Sequence, residues 1–245
     1  RYRVVGGNLA MGPMTPVLLL TDGVIANGSR PWRIPSMKDY PAIVPPVAGK
    51  LDDDEEYFLP YKRDGLRMAR RWAAPGTPGM GHRIGGLEKD ILKGSPSHNP
   101  QNHQRMVEIR AQKVERVVDH IPEQELLGDS SGDLLVVGWG GPRGHLQPAV
   151  EELQKQGRKV SLCHLNYLNP LPPGLTTIFE NFKKIVVCEL NEGQMANYLR
   201  MNFQKFTFDQ INKVQGLPFI KEELTEKFIE MLDGQVFNTA CGVRE

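Results

Sequence analysis

This sequence predicts an α/β fold built on a mainly parallel sheet, and three observations carry the prediction. Leu134–Val137, Val160–Leu165 and Ile185–Leu190 are short, near-continuous apolar runs, suited to strands covered on both faces. Amphipathic stretches with helical spacing alternate with them, as in strand–helix–strand units. A glycine-rich segment, Gly138 to Gly144, joins the first run to the first such stretch, where a parallel sheet turns at its carboxyl edge.

The elements follow in order over residues 130–245. A strand at Leu134–Val137 leaves Gly132-Asp133. The next helix starts at about Gln147, with Leu146, Val150 and Leu153 on one face. Further strands are expected at Lys159–Leu165 and Lys184–Leu190, then a helix over Ala196–Arg200, a short strand over Phe206–Ile211 and a terminal helix over Lys221–Leu232. A unit of roughly 115 residues is large enough to fold by itself.

The earlier residues read differently. Val17–Leu20, closed by Thr21-Asp22-Gly23, suits another strand buried on both faces. Such a strand needs layers above and below it, so the rest of that sheet is expected upstream of Arg1 and the chain to be part of a longer protein. Between about 36 and 98 stand Pro41, Pro45, Pro46, Pro60, Pro75, Pro78 and Pro96, the acidic run Asp52–Glu56, and the basic residues Lys62, Arg63, Arg67, Arg70 and Arg71. Tyr57, Phe58, Tyr61, Trp72, Met80, Ile84 and Leu87 are too apolar for a solvated tether, which predicts an ordered irregular arm packed on a neighbour. Asn99-Pro100 then opens a helix to about His120, with Asn as N-cap, Pro at the first helical position and Pro122 ending it.

Bulk composition excludes several classes. Charged residues are 24% and the net charge is +1, so no global field recruits nucleic acid or an anionic membrane. No apolar run is long enough to cross a bilayer. Cys163, Cys188 and Cys241 are odd in number and widely spaced, which argues against disulfides and against zinc or iron–sulfur ligation. They are expected as reduced, buried thiols in a cytoplasmic protein.

Several motifs could carry chemistry. Gly138-Trp139-Gly140-Gly141-Pro142-Arg143-Gly144 could present N–H groups to a phosphate. Its third glycine falls one place late for a dinucleotide fingerprint, however, Pro142 removes a donor, and no Lys-Ser/Thr pair makes a P-loop. A tight structural turn and an anion site both remain open there. Asp22 and Asn27 stand where a strand would meet a ligand-binding loop, and are weak cofactor candidates beside a plain side-chain-stabilised turn. The loop His82-Arg83-Ile84-Gly85-Gly86-Leu87-Glu88 gathers titratable groups; His82, Arg83, Glu88 and Trp72 are read as interface residues, ahead of acid–base work. His98 and His103 are five apart and share no helical face, which speaks against a metal site. No Gly-x-Ser-x-Gly, C-x-x-C or H-E-x-x-H motif is present, and no catalytic residue is assigned.

Taken together, Thr15–Gly23, Ala26–Gly28, Pro31–Pro35, Leu59–Asp64, Pro75–Gly79, His82–Glu88, Val137–Gly140, Tyr167–Pro172, Glu189–Asn191 and Val214–Phe219 form a pattern that resembles the alpha subunit of 2-oxoacid:ferredoxin oxidoreductases, the 2-oxoglutarate type most nearly. Residues 1–12 and the turn after Gly140 depart from it. The resemblance implies that residues 1–35 end a pyrimidine-binding thiamine-diphosphate domain. It likewise makes 36–129 an arm with a connecting helix, and 130–245 a three-layer domain like the carboxyl-terminal domain of transketolase.

It further implies oxidative decarboxylation of a 2-oxoacid with coenzyme A, electrons passing to ferredoxin. Thiamine diphosphate, magnesium and the iron–sulfur cluster would then sit on a beta subunit, and this chain would be structural and inactive alone. A free-standing nucleotide-binding regulator or adaptor using Gly138–Gly144 is the alternative.

Overall fold

The computed structural model describes residues 2–29, 31, 33–53, 55–83 and 85–234; Trp32, Ile84 and Cys241 lie outside the described residues. Two compact units are present, Arg1–Leu19 with Pro31–Ile121, and Leu20–Arg30 with Pro122–Glu245. Two short helices near the start fall in different units: α1 (Tyr2–Met11) in the first and α2 (Gly23–Asn27) in the second.

Nothing in the sequence announced α1, because Gly6-Gly7 weakens a helix interior. The pair is there for close packing. A Cβ on Gly7 would stand 2.7 Å from Ile43 Cδ1, and one on Gly6 would stand 3.3 Å from Val17 Cγ1. Val17–Leu20, expected as a buried strand, belongs to no strand, and its side chains are 41 to 87% exposed. No described strand offers these residues a backbone edge, and apolar composition cannot form a strand without a partner.

The arm is ordered, as expected. β1 (Val47–Ala48) and β2 (Trp72–Ala73) pair in parallel; Phe58, Ala69 and Met80 are buried, and the arm also holds an ionic centre. The nearly inaccessible Glu55 carboxylate accepts from Lys62 Nζ at 3.0 Å and from Arg71 Nη2. The Arg71 guanidinium also lies 5.1 Å from the Phe58 ring centroid. Burial pushes the Glu55 pKa up, but the hydrogen bonds from Arg71 and Lys62 outweigh it and hold the group below the usual range. The connecting helix α3 (Pro100–Glu115) starts where predicted, and Asn99 Oδ1 accepts from the N–H groups of Gln101 at 2.9 Å and Asn102 at 3.0 Å. It tightens into a 3₁₀ turn over Arg116–His120 before Pro122.

The second unit is the predicted α/β domain. Its five strands are β3 (Leu126–Leu127), β4 (Gly132–Trp139), β5 (Val160–Leu165), β6 (Phe182–Glu189) and β7 (Asp209–Asn212), in the order β3-β5-β4-β6-β7. All neighbours are parallel except β3, an antiparallel edge strand too short to signal itself in the sequence. The helices are α4 (Arg143–Lys155), α5 (Leu175–Glu180), α6 (Gln194–Asn202) and α7 (Lys221–Leu232).

Helices α4 and α7 cover one face with Leu146, Val150, Leu153, Leu224 and Phe228 against Leu134, Val136 and Val186. Helices α5 and α6 cover the other with Phe179, Ala196 and Leu199 against Leu135, Val137 and Val187. Alternate residues of each strand thus enter opposite cores, which explains the continuous apolar runs. Among the described residues no helix is long and apolar enough to cross a membrane.

Replacing the α3 N-cap, Asn99→Ala, leaves two helix N–H groups without their acceptor. A loss of about 1 kcal/mol in unfolding free energy is expected, measured by urea denaturation of the first unit's transition.

Candidate functional site

A parallel sheet gathers its carboxyl ends on one edge, and ligands usually enter where successive connections leave in opposite directions. Here β4 connects to β5 on one side, while β6 lies on the other. The ligand crevice of this topology therefore opens between the ends of β4 and β6.

That crevice is occupied by the protein's own groups. Trp139, last in β4, donates its indole N–H to Glu189 Oε2, last in β6, at 3.1 Å. The same oxygen accepts from Asn191 Nδ2 at 3.0 Å and the Met195 N–H at 2.9 Å, and Oε1 accepts from the Ala196 N–H at 2.9 Å. Glu189 is 1% exposed. Four donors, two of them from the first turn of α6, satisfy a carboxylate that would otherwise be costly to bury. Asn191 Oδ1 accepts from the Gly193 N–H at 2.7 Å and completes the turn. Gly193 takes φ +95° as N-cap of α6, and a Cβ there would collide with the Gln210 side-chain amide. Glu189 and Asn191 fell within the family pattern, but their role as a helix cap could not be read from spacing.

The glycine turn is equally filled. Gly138 lets α4 approach, since a Cβ there would lie 2.3 Å from Leu146 Cδ1. A Cβ on Gly141 would lie 1.7 Å from Asp22 Oδ2, so the Asp22 carboxylate packs directly against the turn. Helix α4 begins at Arg143, four residues earlier than expected, with Pro142 as its cap residue. Asn27 donates Nδ2 to the Gly23 carbonyl of its own helix at 3.0 Å.

His164 on β5 is in register with Gly138. It is buried, and its Nδ1 has no hydrogen-bond partner. Burial first, and then the nearby Arg143 cation, push its pKa down to about 4.

In the first unit, Glu88 accepts from His103 Nδ1 at 2.7 Å and from both Arg110 terminal nitrogens at 3.1 Å. The His103 hydrogen bond and the Arg110 cation hold Glu88 below the usual carboxylate range. His82 packs on Phe58 with ring centroids 5.0 Å apart, and its Nδ1 lies 2.9 Å from the Met80 carbonyl. Arg83 is exposed, and Trp72 is half-buried with its indole N–H unpartnered.

The described residues do not fit a resident metal or cluster. Among the described residues no group of three or more His, Cys, Asp or Glu side chains could hold a metal ion. Cys163 and Cys188 are free and buried on opposite faces of the sheet. Desolvation lifts the Cys163 thiol to about 12, and Cys188 is raised as well.

No family model matches the chain. Over 220 residues, 88% of its length, the sequence is 41% identical to the 2-oxoglutarate oxidoreductase subunit KorA of Mycobacterium tuberculosis, covering 32% of that protein. It is 26% identical over 226 residues to the 2-oxoacid:ferredoxin oxidoreductase subunit alpha of Saccharolobus solfataricus, covering 89% of the chain and 35% of the relative. Among solved structures, the 2-oxoglutarate:ferredoxin oxidoreductase from Magnetococcus marinus, with 2-oxoglutarate, coenzyme A and succinyl-CoA bound, superposes with a TM-score of 0.80 at 27% identity. That match covers 92% of this chain and 39% of that one. The chain thus spans about a third of the length of these two curated relatives. These are the relatives to which the motifs pointed.

His164 yields a pH prediction. Unfolded, its imidazole titrates near 6.5, whereas folded it stays neutral down to about 4. The unfolded chain therefore binds more protons between those values, and stability falls as pH drops through that window. The expected contribution is about 2–3 kcal/mol. Wild type should lose that much more than His164→Gln between pH 7 and 4 in denaturant titrations; equal losses would rule it out.

Proposed function

We propose, for a chain related to the alpha subunits of 2-oxoacid:ferredoxin oxidoreductases, that it provides a structural, assembly-supporting part of such a subunit in an enzyme of the 2-oxoglutarate type. The whole enzyme would convert a 2-oxoacid and coenzyme A into an acyl-CoA and carbon dioxide, passing two electrons to ferredoxin. Thiamine diphosphate, magnesium and the iron–sulfur cluster would be held by a beta subunit, with assembly in the cytoplasm. Residues 130–245 act as the domain resembling the transketolase carboxyl-terminal domain, 1–35 as the end of the pyrimidine-binding domain, and 36–129 as an arm laid on a neighbour. In that arm Trp72, His82, Arg83 and Glu88 are the proposed interface residues.

One observation carries the structural reading. The crevice where a sheet of this topology would take a ligand is filled by Trp139 and Glu189, and the glycine turn beside it by Asp22. Reaction chemistry must then lie elsewhere in the assembly. The same filling disfavours a nucleotide-binding regulator that uses Gly138–Gly144, because a phosphate would meet the Asp22 carboxylate.

Co-expression with a thiamine-binding beta subunit of the same enzyme type tests the proposal. A tagged form of this chain should carry that subunit through affinity purification and gel filtration as one species. Elution of the tagged chain by itself, folded but without the beta subunit, would overturn the assignment.

A further inference from the structure

The first unit holds a second feature, of which the proposed interface takes only Glu88. Near α3 lies a pocket of ≈ 470 Å³, within the size range of small-molecule sites. Its lining carries five cationic side chains, Arg63, Arg70, Lys89, Arg110 and Lys113, and one carboxylate, Glu88, a net of +4. That carboxylate is already committed to His103 and Arg110.

The other four cations form no ion pair among the described residues. Arg63 donates to the Tyr61 carbonyl at 3.0 Å and the Ile91 carbonyl at 3.3 Å. Lys113 donates to the Met14 carbonyl at 2.6 Å. Arg63 and Arg70 stand over one aromatic ring, 5.8 and 5.2 Å from the Tyr61 centroid. Lys89 is 3% exposed, and its ammonium donates to the Leu87 carbonyl.

A largely buried lysine and two guanidiniums held over one ring are costly without a counter-charge. Burial first, then repulsion from Arg63 and Arg70, lowers the Lys113 pKa; Arg63 is lowered by burial and by Arg70 and Arg110. Like charges forced together in a concave site form an anion receptor, and paired guanidiniums match the oxygens of phosphate.

We propose that this pocket binds the diphosphate group of a small phosphorylated ligand, with Arg63, Arg70 and Lys113 contacting its oxygens and Lys89 supplying buried positive charge. A compact, multiply charged anion suits the concave shape and the +4 lining, whereas an extended acidic chain would engage an open surface. The inference does not depend on the enzyme assignment, since it follows from the charges in one unit.

Calorimetric titration of the purified chain with sodium pyrophosphate at low, fixed ionic strength tests it. One site of submillimolar Kd is expected, weakened at least tenfold in Arg70→Gln, whose guanidinium stands over the Tyr61 ring. Lys113→Gln serves as the second variant, and thermal melts confirm that each stays folded. Pyrophosphate should raise the Tm of the wild type and leave that of Arg70→Gln unmoved. No heat with millimolar pyrophosphate, or unchanged affinity in both folded variants, would overturn the proposal. So would binding of a polyglutamate peptide in place of pyrophosphate, which would assign the pocket to an acidic protein segment.

Discussion

A carboxylate taken out of water must find donors inside the protein, and Glu189 finds four. This one requirement ties together the ends of β4 and β6 and the start of α6. It fixes Trp139 across the crevice, sets the direction in which α6 leaves the sheet, and calls for a left-handed residue at Gly193. Because the carboxylate faces the positive end of the helix, the charge is stabilised by the peptide dipoles as well as by the individual hydrogen bonds. Removing the carboxylate would strand two buried N–H groups of α6 and leave the Trp139 and Asn191 side-chain donors without their acceptor. The edge that other parallel sheets reserve for ligands is here spent on holding the domain together.

The two units solve the burial problem by different means. The sheet domain sends alternate residues of each strand into two apolar cores, so its stability is spread over many interchangeable contacts. The arm has little regular structure and buries few of its large apolar side chains, and an ionic centre of Glu55, Arg71 and Lys62 helps to organise it. In that centre Glu55 is the most enclosed group, and Asp52 also pairs with both Arg71 and Lys62, so the charges are shared around a small network. The arm is therefore held by a few directional contacts, and the sheet domain by many diffuse ones.

What could be read from the sequence follows the same physical division. Val136 and Val186, or Lys221 to Leu232, announce themselves because the period of burial is written in the residue types themselves. The cap at Asn99 was equally legible, since a local motif fixes it. Val17–Leu20 misled because an apolar run records the wish to be covered and says nothing of what does the covering. Helix α1 was hidden because Gly6-Gly7 serves contact with Ile43, a residue far along the chain. The start of α4 at Arg143 was masked by Pro142, a residue at home beside a helix start as well as in a turn. At the candidate site, the glycines were visible as residues. The Asp22 carboxylate against Gly141, and the four-donor cage of Glu189, depend on tertiary neighbours that no local pattern records.

The placement of the two described cysteines has a practical consequence. Cys163 faces the layer formed by α5 and α6, and Cys188 the layer formed by α4 and α7. Each thiol is shielded and resists ionisation, so alkylating reagents can reach it only when its own layer opens. Timed alkylation read peptide by peptide would thus follow the breathing of either side of the sheet separately, using sulfur atoms the chain already carries.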